Sequence, residues 1–206
     1  MNDARPRVSE TVHAGQAAIE IVTSTATWTY QIEAGGFSSL RDRDGVEWIG
    51  FAPGTPGPYG PANVFRGIPN LVYPDNVGHP GYDHARTTWS GGDDGVELTT
   101  TSVDGRWSWR WTVTRAGARL EVLASPADRA YWFLYEGVPG GRYDPDLATW
   151  GCDEHLAGAT TPVLSDPIAG PWRWIWFGHR ASPRALVLHH ETAGGEPSLL
   201  GWMRAV

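Results

Sequence analysis

The run RWSWRWTVT, Arg106 to Thr114, admits one regular structure. Trp107, Trp109, Trp111 and Val113 occupy every second position. Ser108, Arg110, Thr112 and Thr114 fill the gaps. A strict period of two puts the large apolar groups on one face of an extended chain and the polar groups on the other. On a helix the same residues would be scattered around the whole circumference. The neighbouring segments fit the same pattern. Asp104-Gly105 and Ala116-Gly117 are turn dipeptides, so GVELTTTSVDGRWSWRWTVTRAGARLEVLAS predicts a three-stranded antiparallel meander with one face packed and the other wet.

Other segments repeat the signal. In ATWTYQIE, Trp28, Tyr30 and Ile32 alternate with Thr27, Thr29 and Gln31. GGFSSLRDRDGVEWIGF predicts a hairpin: a strand over Phe37–Arg41, an Asp-Gly turn at Asp42–Gly45, and a return strand through Trp48 and Phe51. AYWFLYEG, WRWIWFG and RALVLHHE predict further strands. No window supports an amphipathic helix, because 26 Gly and 16 Pro interrupt every candidate. The expectation is an all-β chain: an antiparallel β-sandwich of about ten or more strands, a single domain over residues 1–206 with residues 1–15 as a flexible N-terminal tail.

Composition narrows the function classes. The formal charge is −7, which argues against a nucleic-acid partner, since phosphate binding needs a concentrated positive surface. All 16 basic residues are Arg, so lysine Schiff-base chemistry is excluded. Cys152 is the single cysteine, which rules out an intrachain disulfide and a thiolate zinc cluster and reads as a buried, inert thiol. The polar N-terminus has no apolar core of signal-peptide type and no run reaches membrane-spanning length, so no membrane partner and a cytoplasmic location are expected. The 12 Trp residues suit two uses: filling a β core, and offering flat faces to ligands with apolar C–H surfaces, sugars above all.

Chemistry-bearing residues concentrate in DNVGHPGYDHARTTW. Asp75, Asn76, His79, Asp83, His84 and Arg86 stand close together beside Tyr82 and Trp89. Imidazole moves protons near neutral pH, guanidinium supplies fixed donors, and the rings can wall a sugar site. The bland alternative is a loop whose polar groups satisfy its own backbone. The Asp-x3-His-x3-Asp-His spacing lacks the helical His spacing of zinc motifs, so no metal and no cofactor are invoked. ALVLHHETAGGEP places His189 and His190 on opposite faces of a strand end, with Glu191 on the side of His189.

The order of these motifs resembles that of the galactose-mutarotase-like superfamily, the antiparallel super-sandwich of aldose 1-epimerases and of domains in polysaccharide lyases and glycosidases. The early hairpin GGFSSLRDRDGVEWIGF, then FRGIPNLVYPDN, then GHPGYDHARTTW, then the meander carry the resemblance over roughly Thr25 to Gly137. It implies a sugar ligand on a concave sheet face, with His79 and Arg86 as sugar contacts and Asp75 and Asn76 beside them. It implies acid–base chemistry at a sugar ring, of epimerase (isomerase), lyase or hydrolase type, with a late Glu as base. Glu196, before Pro197, fits that place, with Glu191 as a rival. The family's acid, a His before Pro, is replaced here by YEGVPGG, which leaves Glu136 near that position. The expected catalytic candidates are therefore His79, Glu136, Glu191 and Glu196. The expected substrate contacts are Asp75, Asn76, Tyr82, His84, Arg86, Trp89 and His189. The alternatives are a non-catalytic carbohydrate-binding module and a structural β-sandwich with its Trp-rich faces against another chain.

Overall fold

The computed structural model describes residues 5–50, 70–72, 85–126, 132–134, 144, 146–153, 168–169, 173–180, 182–191 and 199–200. Among these every regular element is a strand and every pairing is antiparallel. No described helix is long and apolar enough to cross a membrane. The chain divides into two compact units, Met1–Gly137 and Val138–Val206, where the sequence predicts one domain. The boundary falls in GVPGG, a Gly/Pro run of the kind that joins units.

The first unit opens with a four-stranded meander, β1 (Arg7–His13), β2 (Gln16–Val22), β3 (Ala26–Gln31) and β4 (Gly36–Asp42). Here the expected tail over residues 1–15 is corrected. Arg7 to His13 pair residue for residue with β2, from Arg7↔Val22 to His13↔Gln16. The joining turn holds Ala14 at φ 53° and Gly15 at φ 80°. Two positive φ values match the twist of the flanking strands, as in a type I′ hairpin. β1 is an edge strand with mostly exposed side chains, so its sequence carries no apolar alternation to reveal it.

After β5 (Asn70–Val72) comes a second four-stranded sheet of β6 (Arg86–Gly91), β7 (Val96–Thr101), β8 (Ser108–Val113) and β9 (Ala118–Ala124). β10 (Trp132–Leu134) pairs with β5. The last three strands of the second sheet are the predicted meander, with its Gly105 and Gly117 turns both at positive φ. Trp107, Trp109, Trp111 and Val113 are all buried, while Ser108, Arg110 and Thr112 stay half-exposed.

The apolar sides of these two sheets meet. The Phe37 ring lies 5.1 Å from Trp28, 5.0 Å from Tyr30 and 5.2 Å from Trp111 of the second sheet. The Trp109 indole N–H reaches both the Tyr30 hydroxyl and the Gly35 carbonyl at 3.1 Å. Tyr30 and Thr100 hydroxyls lie 2.8 Å apart, and Thr87 links Thr100 to the Ile32 carbonyl. Burial disfavours the Tyr30 phenolate and raises its pKa above the ordinary tyrosine range, partly offset by the Thr100 and Trp109 bonds. Gly35 is required twice over. Its φ is +70°, and a Cβ there would stand 2.7 Å from the Trp109 ring.

The predicted return strand after β4 does not form. The chain makes one bridge, Arg41↔Glu47, and then leaves the ladder. The Trp48 N–H still donates to the Leu40 carbonyl at 2.8 Å, but the neighbouring donors turn to the Glu47 carboxylate. One oxygen takes the backbone N–H groups of Leu40, Trp48 and Ile49 at 2.8, 3.1 and 3.1 Å. A side chain thus fills the place of a strand partner. Trp48 and Ile49 remain buried, at 3% and 2% exposure. Phe51 lies outside the described residues.

The second unit contains a three-stranded sheet in the order β11 (Ala148–Cys152), β13 (Trp174–His179), β14 (Ala185–His189). The short β12 (Ile168–Ala169) pairs with β15 (Leu199–Leu200). Ala148, Trp150, Cys152, Ile175 and Phe177 form the buried side of the three-stranded sheet. The Cys152 thiol is buried there, as its sequence context predicts.

Candidate binding site

Away from the rings, the first sheet has a second face made of polar side chains. Strand pairing aligns Ser9, Glu20, Thr29 and Ser39 in one row across four strands, and Arg7, Val22, Thr27 and Arg41 in the next. Such a face normally meets water, yet Thr29, Gln31, Ser38 and Ser39 are 7%, 0%, 1% and 4% exposed. Beside them lies a hollow of about 140 Å³ lined by Thr11, Val12, His13, Glu20, Thr27, Thr29, Ser39 and Arg41.

Its walls are held by hydrogen bonds. A register shift after Thr29 makes room for the extra residue Ser38 on β4. The Gln31 amide donates to the Ser38 Oγ at 2.7 Å, and His13 Nδ1 lies 2.8 Å from that oxygen. The Ser38 hydroxyl also reaches the Thr29 carbonyl at 3.5 Å, so this one oxygen gathers groups from three strands. The other end of the Gln31 amide, assigned as Oε1, is buried and has no hydrogen-bond partner. On the opposite wall, the second oxygen of Glu47 accepts the Ser39 hydroxyl at 2.5 Å and Arg41 Nε at 3.4 Å. Glu47 therefore positions both side chains rather than facing the hollow itself. Glu20 has no hydrogen-bond or ion-pair partner among the described residues.

The lining offers one free carboxylate, one guanidinium, one imidazole and three threonine hydroxyls. Donors and acceptors are mixed, and Arg41 is already paired with Glu47. That mixture suits a small ligand with several hydroxyl groups and no negative charge. The volume is below the roughly 300–1,000 Å³ typical of sites for drug-sized molecules, so about one ring is the natural limit.

None of these lining residues is a sequence-derived site candidate. Asp75, Asn76, His79, Tyr82, His84, Glu136 and Glu196 lie outside the described residues. Arg86 and Trp89 both fall on β6, the edge of the second sheet, three residues apart and therefore on opposite faces. Trp89 is 37% exposed. His189 ends β14 in the second unit, exposed and opposite Trp174, and Glu191 follows the strand. Among the described residues no group of three or more His, Cys, Asp or Glu side chains could hold a metal ion. His13 escapes sequence reasoning because β1 resembles a tail. The alternation of Thr27, Thr29 and Gln31 is the one legible signal, since it marks a polar face on a strand whose other face is aromatic.

Comparison of the chain with protein families, curated proteins and solved structures gives no match.

Proposed function

We propose that this protein binds a carbohydrate, with a single neutral sugar ring in the hollow on the polar face of β1–β4. The observation that carries the reading is the lining itself: Glu20 and Arg41 of opposite charge, the His13 imidazole, and the hydroxyls of Thr11, Thr27, Thr29 and Ser39 around about 140 Å³. Sugars present donors and acceptors around a compact ring, and a rigid wall of alternating donors and acceptors matches them at small ordering cost. In this reading the first unit is a β-sandwich of the mutarotase-like type. Acid–base chemistry at the sugar ring, of epimerase, lyase or hydrolase type, is the enzymatic form of this reading.

A second reading, a binding module without catalysis, is favoured by the hydrogen bonding of the hollow. His13 Nδ1 is engaged with Ser38, and Glu47 with Ser39, Arg41 and three backbone N–H groups. Groups held this way orient a ligand better than they exchange protons with it.

The test is thermal shift with a panel of neutral monosaccharides and uronic acids at millimolar concentration. A neutral sugar should raise the melting temperature of the wild type and fail to do so in Glu20→Ala and Thr29→Val. No shift with any sugar would overturn the proposal. Anomer interconversion or product formation by the same sugar, followed by NMR, separates the enzyme from the module.

A further inference from the structure

The residues of β13 alternate between two environments. Ile175 and Phe177 are 1% and 8% exposed on the buried side, whereas Trp174 and Trp176 are half-exposed on the other. Opposite Trp176 in the ladder stand Gly151 on β11 and Val187 on β14. Gly178, two residues along β13, is on the same face.

The two glycines decide how the Trp176 ring lies. A Cβ added at Gly151 would stand 2.6 Å from the indole Nε1, 2.9 Å from Cε2 and 3.0 Å from Cζ2. A Cβ added at Gly178 would stand 2.9 Å from the Thr149 Oγ1, 3.1 Å from Cζ3 of the indole and 3.5 Å from its Cε3. Atoms from both long edges of the indole thus press on bare backbone of two strands. The ring rests across the sheet instead of standing up from it. Side chains normally rise roughly perpendicular to a sheet, so this posture depends on both glycines. Beside it, Val187 is 58% exposed, Trp174 lies next along the same face, and His189 is exposed opposite Trp174.

We propose that this outer face of the β11–β13–β14 sheet is a stacking platform for the C–H faces of a neutral oligosaccharide, with His189 as a polar contact at its end. The proposal rests on the carbohydrate reading above and adds a second place where a longer chain is gripped. An indole lying over two glycines, flanked by Val187 and Thr149, offers its upper face to a flat ring. Protein–protein interfaces instead interlock projecting side chains to interior packing density. The formal charge of −7 disfavours polyanions, whether nucleic acid or acidic glycan, and leaves a neutral chain as the occupant. Val187 widens the apolar strip beside the indole, which accommodates successive units rather than one.

The experiment is affinity electrophoresis of the full chain through gels containing neutral polysaccharides of glucose, galactose, mannose or xylose, run beside the monosaccharide thermal shift. At least one polysaccharide should retard the wild type. Trp176→Ala should weaken that retention about tenfold or more, the loss expected when one well-placed aromatic contact is removed. Trp176→Phe should keep part of it, and Val187→Glu, at an exposed position that does not threaten folding, should weaken it too. The monosaccharide shift should be unchanged in all three, and Thr29→Val should behave in the opposite way. Retention that is indifferent to Trp176→Ala and Val187→Glu overturns the platform. So does an absence of retention alongside a normal monosaccharide shift, which would leave the hollow standing alone. Retention that depends on Trp176 without any monosaccharide shift overturns the hollow and keeps the platform. Concentration-dependent dimerisation abolished by Val187→Glu, with no glycan retained, would make the face a self-interface and also overturn the platform.

Discussion

The polar face of β1–β4 and the outer face of β11–β13–β14 begin from the same rule and end in different chemistry. Each is the side of an antiparallel sheet turned away from a buried apolar side. On the first sheet the alternate positions are Thr, Ser, Gln, Glu and Arg, and a side-chain hydrogen-bond network holds them in fixed places. On the three-stranded sheet they are Thr, Gly, Trp, Ala, Val and His, and the shape is set by an indole lying on glycine. Period-two alternation assigns residues to a face. Whether that face becomes a hydrogen-bonding hollow or a flat tray depends on neighbours on other strands.

The strongest way to break the comparison is to remove what the first face stands on. Phe37→Ala deletes the ring among Trp28, Tyr30 and Trp111, and should cost about 3–5 kcal/mol by urea denaturation. A loss below about 1 kcal/mol would mean that the two sheets do not share this core.

Next comes the seat of the tray. Gly151→Val forces a branched side chain into space occupied by the Trp176 ring and should cost about 1–3 kcal/mol, the usual range for overpacking. Pairing it with Trp176→Ala should recover most of that loss, because the obstructing ring is gone. Double-mutant urea curves without such recovery would disprove the flat indole.

Tyr30→Phe probes the buried link between the first two sheets and should cost about 1–2 kcal/mol, since Thr100 keeps Thr87 and Trp109 keeps the Gly35 carbonyl. It also carries a pH signature. The folded-state pKa of Tyr30 is raised above its unfolded value, so its contribution is fully present below about pH 10 and is lost as pH rises beyond that. The wild type should therefore lose stability between neutral pH and pH 11 to a greater degree than Tyr30→Phe does. Parallel curves would show the phenol to be wet.

The smallest effect belongs to the hairpin that carries His13 to the hollow. Ala14→Asn should stabilise by up to about 1 kcal/mol, because Asn tolerates the left-handed conformation better than Ala. Unchanged stability would sharpen the comparison by showing that the β1–β2 register is set by pairing and not by the turn.

Much of the fold was legible because its signals are local. The Trp107–Val113 alternation, the Asp104-Gly105 and Ala116-Gly117 turns and the aromatic face of β3 each fall within a few residues, and each appears in the structure where expected. The failures share a cause as well. β1 lacks its own alternation and exists as a partner of β2. The return strand after β4 has strand-like sequence, but Glu47 takes the backbone donors of Leu40 and Ile49. The hollow was illegible because His13, Glu20, Thr29 and Arg41 come from four strands, and no short motif contains them.

By itself, then, the sequence determined that the chain is built of strands, which side of each strand is apolar, and that its one thiol is buried. Those follow from period, turn chemistry and hydrophobicity, all of which act over a few residues. Only tertiary structure decided which polar faces are enclosed, that Ser38 joins Gln31 to His13, and that Trp176 lies down on Gly151 and Gly178. These are contacts between strands. Their existence depends on register and close approach, which no single segment encodes.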